Sequence, residues 1–428
     1  MARGAFAELL FLLYRHFFRD VKPLLSDNST IVPGACARHS TEPYSGEVAF
    51  MTLRPTRMEV RLDNIRANSR AIRKHLDLHG GYAAKIFGVI KANAYNLGAV
   101  PVAWALREAG VDYFIVATPD EALELRTGGI TDPILVLGAS PYEAAPEYVR
   151  YGIRATITDM EMANALSSAS ERLGHKAFVH LKIDTGMGRI GFRPEEAAET
   201  AARIAALPGL VCEGAFTHFA TADEADLSYT REQHSLFMKT LDLIAAKGIK
   251  IALRHCCNSG GTLSFPEWAM EGVRPGQLLS GMYPTPEVPR TVPILPGFSF
   301  KTSVSAIRTL PPGQGISYGL TYTTQSEERL AVLPVGYADG FARPLSNKGE
   351  VLIRGVRCRV AGRICMDQCV VNVSHLPEVR VGDEVVLIGS QGSDEISIYE
   401  YAEKLDTIVA AIGAMISKRV PRVYVEER

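Results

Sequence analysis

The sequence has no surplus of either charge. Its 46 Lys and Arg stand against 47 Asp and Glu, a formal net charge of −1, so no global field draws it to nucleic acid or an anionic membrane, and substrate charge must be read locally. Cysteine is scarce and odd in number, at seven. Most of them (Cys212, Cys256, Cys257 and Cys369) stand in apolar runs, which excludes a disulfide framework and suits reduced thiols in a cytoplasmic compartment. Cys365 and Cys369 have no second pair of ligands nearby, so no metal is assigned. No Walker or dinucleotide fingerprint is present. Long apolar runs are missing too: Phe6 to Phe18 is broken by Glu8, Arg15 and His16, and at about a dozen residues it is too short to cross a bilayer. No membrane association is expected.

What is present is an ordinary globular composition, 47% hydrophobic and 22% charged over 428 residues, enough for two domains with their own cores. Residues 1–52 read as a leader of uncertain status. Ala-Cys-Ala at 35–37 is a weak cleavage-like site behind a poor signal pattern, and the preferred reading is a dispensable segment ahead of a start at Met51 or Met58. From residue 53 to 295 apolar runs alternate with amphipathic stretches, the pattern of βα units. A helix from Leu62 places Leu62, Ile65, Ile72 and Leu76 on one stripe. Strands are expected at 85–90, 113–117, 134–137, 154–157, 178–183, 211–217, 251–256 and 277–281, the eight that close a (β/α)8 barrel of the TIM type. Pro101, Pro119, Pro141 and Pro194 mark helix beginnings, where a missing N–H costs nothing. Residues 296–428 change to short Val, Ile and Thr strands with turns at Gly313, Gly349, Gly355 and Gly382, then helices near 398–418. The fold class is therefore α/β, a barrel followed by a mostly β C-terminal domain.

Barrel enzymes place their chemistry at the C-terminal ends of the strands, and reactive residue types gather there. Lys91 ends the first expected strand, Lys182 to Arg189 follows the fifth, His218 ends the sixth, Asn258 and Ser259 follow the seventh, and Arg274 to Gly276 borders the last. Taken alone, Lys91 reads more readily as a lysine snorkelling from the barrel rim. In this company, burial that favours the neutral, nucleophilic amine is the better reading. The small residues at 255–262 offer backbone N–H groups and the Ser259 hydroxyl to a phosphate, and Gly276 offers another donor.

These residues resemble the alanine racemases, which use pyridoxal 5′-phosphate (PLP). The motifs occur in the family's order: Val-Ile-Lys-Ala-Asn-Ala-Tyr (89–95), Lys-Ile-Asp-Thr-Gly-Met-Gly-Arg (182–189), Thr-His-Phe-Ala (217–220), Asn-Ser (258–259), Arg-Pro-Gly (274–276), Ser-Tyr-Gly (317–319), Gly-Tyr-Ala-Asp-Gly (336–340) and Arg-Ile-Cys-Met-Asp (363–367). The resemblance implies that Lys91 anchors PLP and acts as base on one face of the substrate, with Tyr318 as base on the other. A pair is needed because a single base tends to return a proton where it came from, although a free tyrosine, with a pKa of about 10, is a weak acid. It further implies that Arg274 faces the pyridine nitrogen and that His218 contributes to cofactor binding and supports the tyrosine. Tyr95, Asn258, Ser259 and Gly276 would serve the cofactor, and Arg189, Tyr337 and Met366 the substrate. Lys182, Arg363 and Asp367 would support them, Lys182 at a position carbamylated in some members. Because Tyr318, Tyr337 and Met366 belong to the β domain, the resemblance implies a head-to-tail homodimer in which each chain completes its partner's site, with an amino acid as substrate and supply of D-alanine to a bacterial wall as the purpose.

Two stretches depart from the family pattern. Thr407-Ile408-Val409-Ala410-Ala411 replaces the usual Thr-Ile-Asn-Tyr-Glu, and Asn96-Leu97-Gly98 replaces Gly-His-Gly. Ala410 cannot fill a tyrosine's volume, so a roomier pocket is expected, and a broader-specificity racemase for serine or longer or basic side chains is kept as the alternative. A PLP carrier without turnover is the alternative of another class, and a PLP-dependent decarboxylase the enzymatic rival. Tyr318, Tyr337, Arg363 and Met366 in a second domain argue against the carrier, and Ser-Tyr-Gly at 317–319 with Lys-Ile-Asp-Thr-Gly at 182–186 favours racemisation over decarboxylation.

Overall fold

The computed structural model describes residues 53–426; the leader reading of residues 1–52 lies outside the described residues, apart from its end against Leu53. The first strand, β1 (Arg57–Arg61), alternates half-buried Arg57, Glu59 and Arg61 with fully buried Met58 and Val60, the pattern of a strand with one solvated face. It pairs antiparallel with residues 298–303 and parallel with residues 422–425. This corrects the assignment of the segment after residue 53 to the barrel, because β1 is a strand of the β domain's sheet. Arg54, Thr56 and Arg57 are already engaged, Thr56 with Thr302 and the Pro334 carbonyl at 2.9 and 2.8 Å, so a chain beginning at Met58 would lack these bonds.

The helix Leu62–Leu78 buries Ile65, Ile72 and Leu76. That stripe contributes about 1.5–3 kcal/mol for each large apolar side chain, and buried Asn68 adds bonds to the Leu295 carbonyl and amide at 2.9 and 2.8 Å. The barrel strands follow as β2 (Lys85–Val89), β3 (Tyr113–Val116), β4 (Ile134–Val136), β5 (Ile153–Ile157), β6 (Ala177–Lys182), β7 (Leu210–Phe216), β8 (Leu253–His255) and β9 (Gly272–Val273). They form one parallel sheet with β9 beside β2. The circle is closed between β8 and β9 by Glu271 N donating to Arg254 O (3.3 Å) and Arg274 N to Cys257 O (2.8 Å). The expected strand at 277–281 is corrected: those residues form a turn. Leu278 and Leu279 are buried there, and a short buried apolar run does not by itself reveal its backbone state.

Successive side chains on a strand face opposite ways, and the core divides accordingly. Ile86, Phe114, Val116, Ile134 and Val136 belong to the large core cluster, while Phe87, Val89, Tyr113, Ile115 and Leu135 form a separate one. The β domain has two main sheets. One runs in the order 356–359, 350–353, 384–391, 298–303, β1 and 422–425, and the other comprises 306–310, 328–333 and 369–372. Helices Ile398–Leu405 and Val409–Met415 complete it. All the described cysteines are free thiols, and no helix of the described residues is long and apolar enough to cross a membrane.

Candidate active site

Directly after β2 the backbone at Lys91 enters an unusual turn. Ala92, Asn93, Ala94, Tyr95 and Asn96 all have left-handed φ angles of 52°, 55°, 54°, 54° and 73°. For L-residues this conformation costs about 1–2 kcal/mol each, so the surroundings must impose it. Glu121 does so from outside the turn: its carboxylate accepts from Ala92 N and from Ala117 N, each at 2.7 Å, tying the ends of β2 and β3 together beside Lys91. Asn93 Oδ1 accepts from Ala99 N at 2.7 Å, and Arg422 Nε donates to Asn96 O at 3.0 Å. Asn96 Nδ2 donates to the carbonyls of Gly413 (3.2 Å) and Ile416. The two departures from the family pattern therefore meet, since Asn96 holds the end of the helix that carries Ala410.

The Lys91 amine has no hydrogen-bonded partner among the described residues, and burial together with Arg189 holds it below the usual lysine range against the opposing pull of Glu121. Lys182, ending β6, is 2% exposed, and its Nζ donates to Ile183 O at 2.8 Å. Burial, reinforced by Arg274 and Arg189 and opposed by Asp184, brings it down to about 8. Arg189 stands exposed on the loop between Ile183 and Phe192. His218 is held neutral: burial and the cations Arg274, Arg189, Lys91 and Lys182 push its pKa well below the usual histidine range.

Arg274, after β9, is 3% exposed. One terminal nitrogen donates to His255 Nδ1 (3.0 Å) and His255 O (2.8 Å), the other to Thr217 O (2.8 Å) and Cys256 O (3.0 Å), with His218 Nδ1 at 3.4 Å. Its Nε–H alone has no partner among the described residues. A ring nitrogen would complete it, so this residue fits the pyridine of PLP. Asn258 caps the short helix Ser259–Ser264 by accepting from Gly261 N at 2.9 Å. Gly276 N donates to Ser259 Oγ at 3.1 Å, which leaves the Ser259 hydroxyl hydrogen for a further acceptor. A Cβ at Gly276 would lie 2.2 Å from the Tyr95 hydroxyl, so only glycine allows Tyr95 to reach this cradle, and burial pushes the phenol's pKa up. Ser259, Gly276 and Tyr95 thus converge as a phosphate would require.

The second cluster belongs to the β domain and is exposed: Tyr318 68%, Met366 52% and Tyr337 41%. Its backbone is nevertheless fixed. Tyr337 N and Ala338 N donate to Cys365 O and Met366 O at 3.1 and 3.0 Å, and a Cβ at Gly336 would lie 2.3 Å from Met366 O. Asp339, 0% exposed, accepts from Gly336 N at 3.0 Å and pairs with Arg54 (2.6 Å) and Arg419 (2.9 Å). Arg419 also pairs with Asp367 at 2.7 Å. Ser317 Oγ donates to Arg363 O, and the Arg363 guanidinium lies over Gly319. No hydrogen bond or ion pair of the described residues joins Tyr318, Tyr337 or Met366 to the barrel cluster. The residue pattern assigned no role to Glu121, Asp339, the buried His180 and His255 or the half-buried Glu213. Glu121 had a local signal, three residues after Thr118 in a capping-box spacing, but nothing local pointed to Ala92.

Comparison with known proteins meets this geometry. Residues 60–284 match the family model "Alanine racemase, N-terminal domain" and residues 297–424 "Alanine racemase, C-terminal domain". An alanine racemase of Desulfovibrio desulfuricans is 46% identical over 374 residues, 87% of this chain and 99% of the relative; one of Symbiobacterium thermophilum is 46% identical over 87% of this chain and 97% of its own. Among solved structures, alanine racemase of Clostridium difficile superposes with a TM-score of 0.83 at 42% identity, covering 87% of this chain and 96% of that one. The Bacillus anthracis enzyme with bound L-Ala-P gives 0.82 at 38% identity over 87% of this chain and 96% of its own. The two matched domains and these relatives place the chain in the alanine racemase family.

Proposed function

We propose that the two clusters are halves of one racemising site, the barrel half of one chain being completed by the β-domain half of a second chain in a head-to-tail homodimer. The reaction, given by the family, is the PLP-dependent interconversion of L- and D-alanine. Relatives that carry this name along the whole matched length favour alanine over the broader-specificity reading, and the matched second domain argues against a single-barrel carrier. PLP, when bound, supplies the electron sink that makes the Cα proton of the amino acid removable.

The chain's own residues do the rest. Lys91 holds the cofactor and moves a proton at one face of Cα through Nζ, and Tyr318 Oη of the second chain serves the other face. The positive surroundings of Lys91 keep its amine available as a base. Arg274 presents Nε–H to the ring nitrogen, and as a permanent cation it discourages protonation there. Tyr95, Asn258, Ser259 and Gly276 seat the phosphate, and His218 supports Tyr318. Arg189, Met366 and Tyr337 receive and admit the substrate, and Lys182, Arg363 and Asp367 steady them. The observation that carries the reading is the unpartnered Lys91 amine, held below its usual pKa at the catalytic end of the barrel.

Purified protein incubated with PLP and L-alanine, L-serine, L-arginine or L-lysine, with products resolved by chiral chromatography and Lys91→Ala as blank, tests this directly. D-alanine formed fastest supports it. Another amino acid racemised faster would shift the substrate toward the space beside Ala410. Binding of PLP with no racemisation would sink the catalytic reading.

A further inference from the structure

Five interior side chains of the barrel have no task in that site, yet they are bonded to it. Arg274 Nη1 lies 3.0 Å from His255 Nδ1, His255 Nε2 lies 2.9 Å from His180 Nδ1, and His180 Nε2 lies 3.1 Å from Glu213 Oε2. Tyr113 Oη closes the far end, 3.0 Å from His180 Nε2 and donating to Glu213 at 3.1 Å. Arg154 Nε donates to the same carboxylate at 3.2 Å. His180 and His255 are both 0% exposed.

The direction of this chain is forced. A guanidinium can only donate, so His255 Nδ1 accepts and the ring's one proton sits on Nε2. His255 therefore donates to His180 Nδ1, whose own proton must then be on Nε2, pointing at Glu213. Both rings are neutral, because burial holds each below the usual histidine range. Glu213 ends the chain as a carboxylate: burial opposes its charge, but the bond from His180 and the nearby Arg154 bring it down to about 2. Arg274 itself is buried with no carboxylate in contact among the described residues. Its connection to a negative charge runs through the two imidazoles.

We infer that Glu213 is a positioning residue for the racemase site, fixing through His180 and His255 the orientation and donor pattern of Arg274. The inference rests on the proposed placement of Arg274 at the cofactor's ring nitrogen. Replacing Glu213 by glutamine removes the charge and offers His180 an N–H. A reversal of the chain would then set a protonated His255 Nδ1 against the Arg274 donor.

Nitrogen-15 NMR of histidine-labelled protein, with and without PLP, reads the two tautomers, and His180→Gln and His255→Gln assign the signals. Both residues are expected as Nε2–H at neutral and mildly alkaline pH. In Glu213→Gln holoenzyme, kcat for alanine racemisation is expected to fall about tenfold, the size of one hydrogen bond to a charged group, with KM changed less than about twofold. An Nδ1–H tautomer at either histidine of the unaltered protein, or an unchanged kcat in the variant, would overturn the inference. If the variant does not fold, the tautomers of the unaltered protein decide alone. Failure of the unaltered protein to racemise alanine counts against the proposed function, leaving the tautomer result standing.

Discussion

In the barrel, His180, His255, Lys182 and Arg274 are 0–3% exposed and bonded to their surroundings, whereas in the β domain Tyr318, Tyr337 and Met366 are 41–68% exposed. The barrel cluster is rich in buried positive charge, and on the proposed reading its fixed donors and neutral imidazoles would serve a ligand's ring and phosphate. The β-domain cluster is aromatic and sulfur-bearing on a fixed backbone, and the described residues leave its three side chains exposed. The first is buried and bonded to its surroundings, and the second is an exposed surface on a rigid base. The division of labour follows from racemisation: groups that hold a cofactor belong on one rigid barrel, while a base for the opposite face must approach from another direction.

The sharpest way to break this comparison is to inactivate one cluster at a time. Lys91→Ala and Tyr318→Ala are each expected to lower racemisation by roughly a thousandfold or more, the scale of losing a base. Mixing the two variants under conditions that exchange subunits should restore about a quarter of the unaltered activity, because half of the pairs are then mixed and each has one intact site. No recovery on mixing would mean that both clusters must belong to the same chain.

The next effect falls on the platform under Tyr337. Asp339→Ala leaves Arg54 and Arg419 facing a vacated buried position and frees Gly336 N. Since both arginines are partly exposed, at 34% and 41%, the expected destabilisation is about 2 kcal/mol, below that of a fully buried pair. Urea unfolding measures it. A variant as stable as the parent but with raised KM would assign Asp339 to substrate access alone.

Lys182 gives a smaller effect with a definite sign. Its folded pKa of about 8 lies below the ordinary 10.5, so the native state binds fewer protons than the unfolded one between these values. The penalty for burying the cation is fully present below about pH 8 and disappears as pH approaches 10.5. In bicarbonate-free buffer, Lys182→Met should therefore raise stability at neutral pH, by up to roughly 3 kcal/mol, with the gain fading in alkali while activity falls. Bicarbonate should remove the advantage if the neutral amine is carbamylated beside Arg189. A gain that grew with pH would contradict the assignment.

How much of this was legible beforehand depended on whether a residue's partner was local. The barrel strands from β2 to β8 are apolar runs between turn residues, and Lys91 and His218 stand where those runs end, so periodicity and position sufficed for them, whereas Arg274 follows β9, whose two residues carry too little pattern and were displaced by the apolar run at 277–281. β1 misled because a five-residue alternating strand does not state which sheet it joins. Glu121 and Asp339 also have local partners, Ala117 N and Gly336 N, but their bonds to Ala92, Arg54 and Arg419, like that of Glu213 to His180, join residues remote in sequence, which no spacing rule reaches. The β-domain cluster was visible only through its motifs.

The mildest test falls on Asn96, where the two departures from the family pattern meet. Its side chain replaces no charge and fills no site, but it donates to the Gly413 and Ile416 carbonyls and so ties the left-handed turn after Lys91 to the helix bearing Ala410. Asn96→Ala should cost about 1 kcal/mol for the lost bonds and somewhat more for placing alanine at φ 73°, a conformation asparagine tolerates better. Asn96→Gly removes the same bonds but relieves the backbone. Thermal melts of the two variants separate the contributions: a glycine variant more stable than the alanine one assigns part of the loss to the turn's conformation. Equal losses would place all of it in the tie to the helix. A change in the alanine-to-serine activity ratio in either variant would then show that this tie also shapes the space beside Ala410.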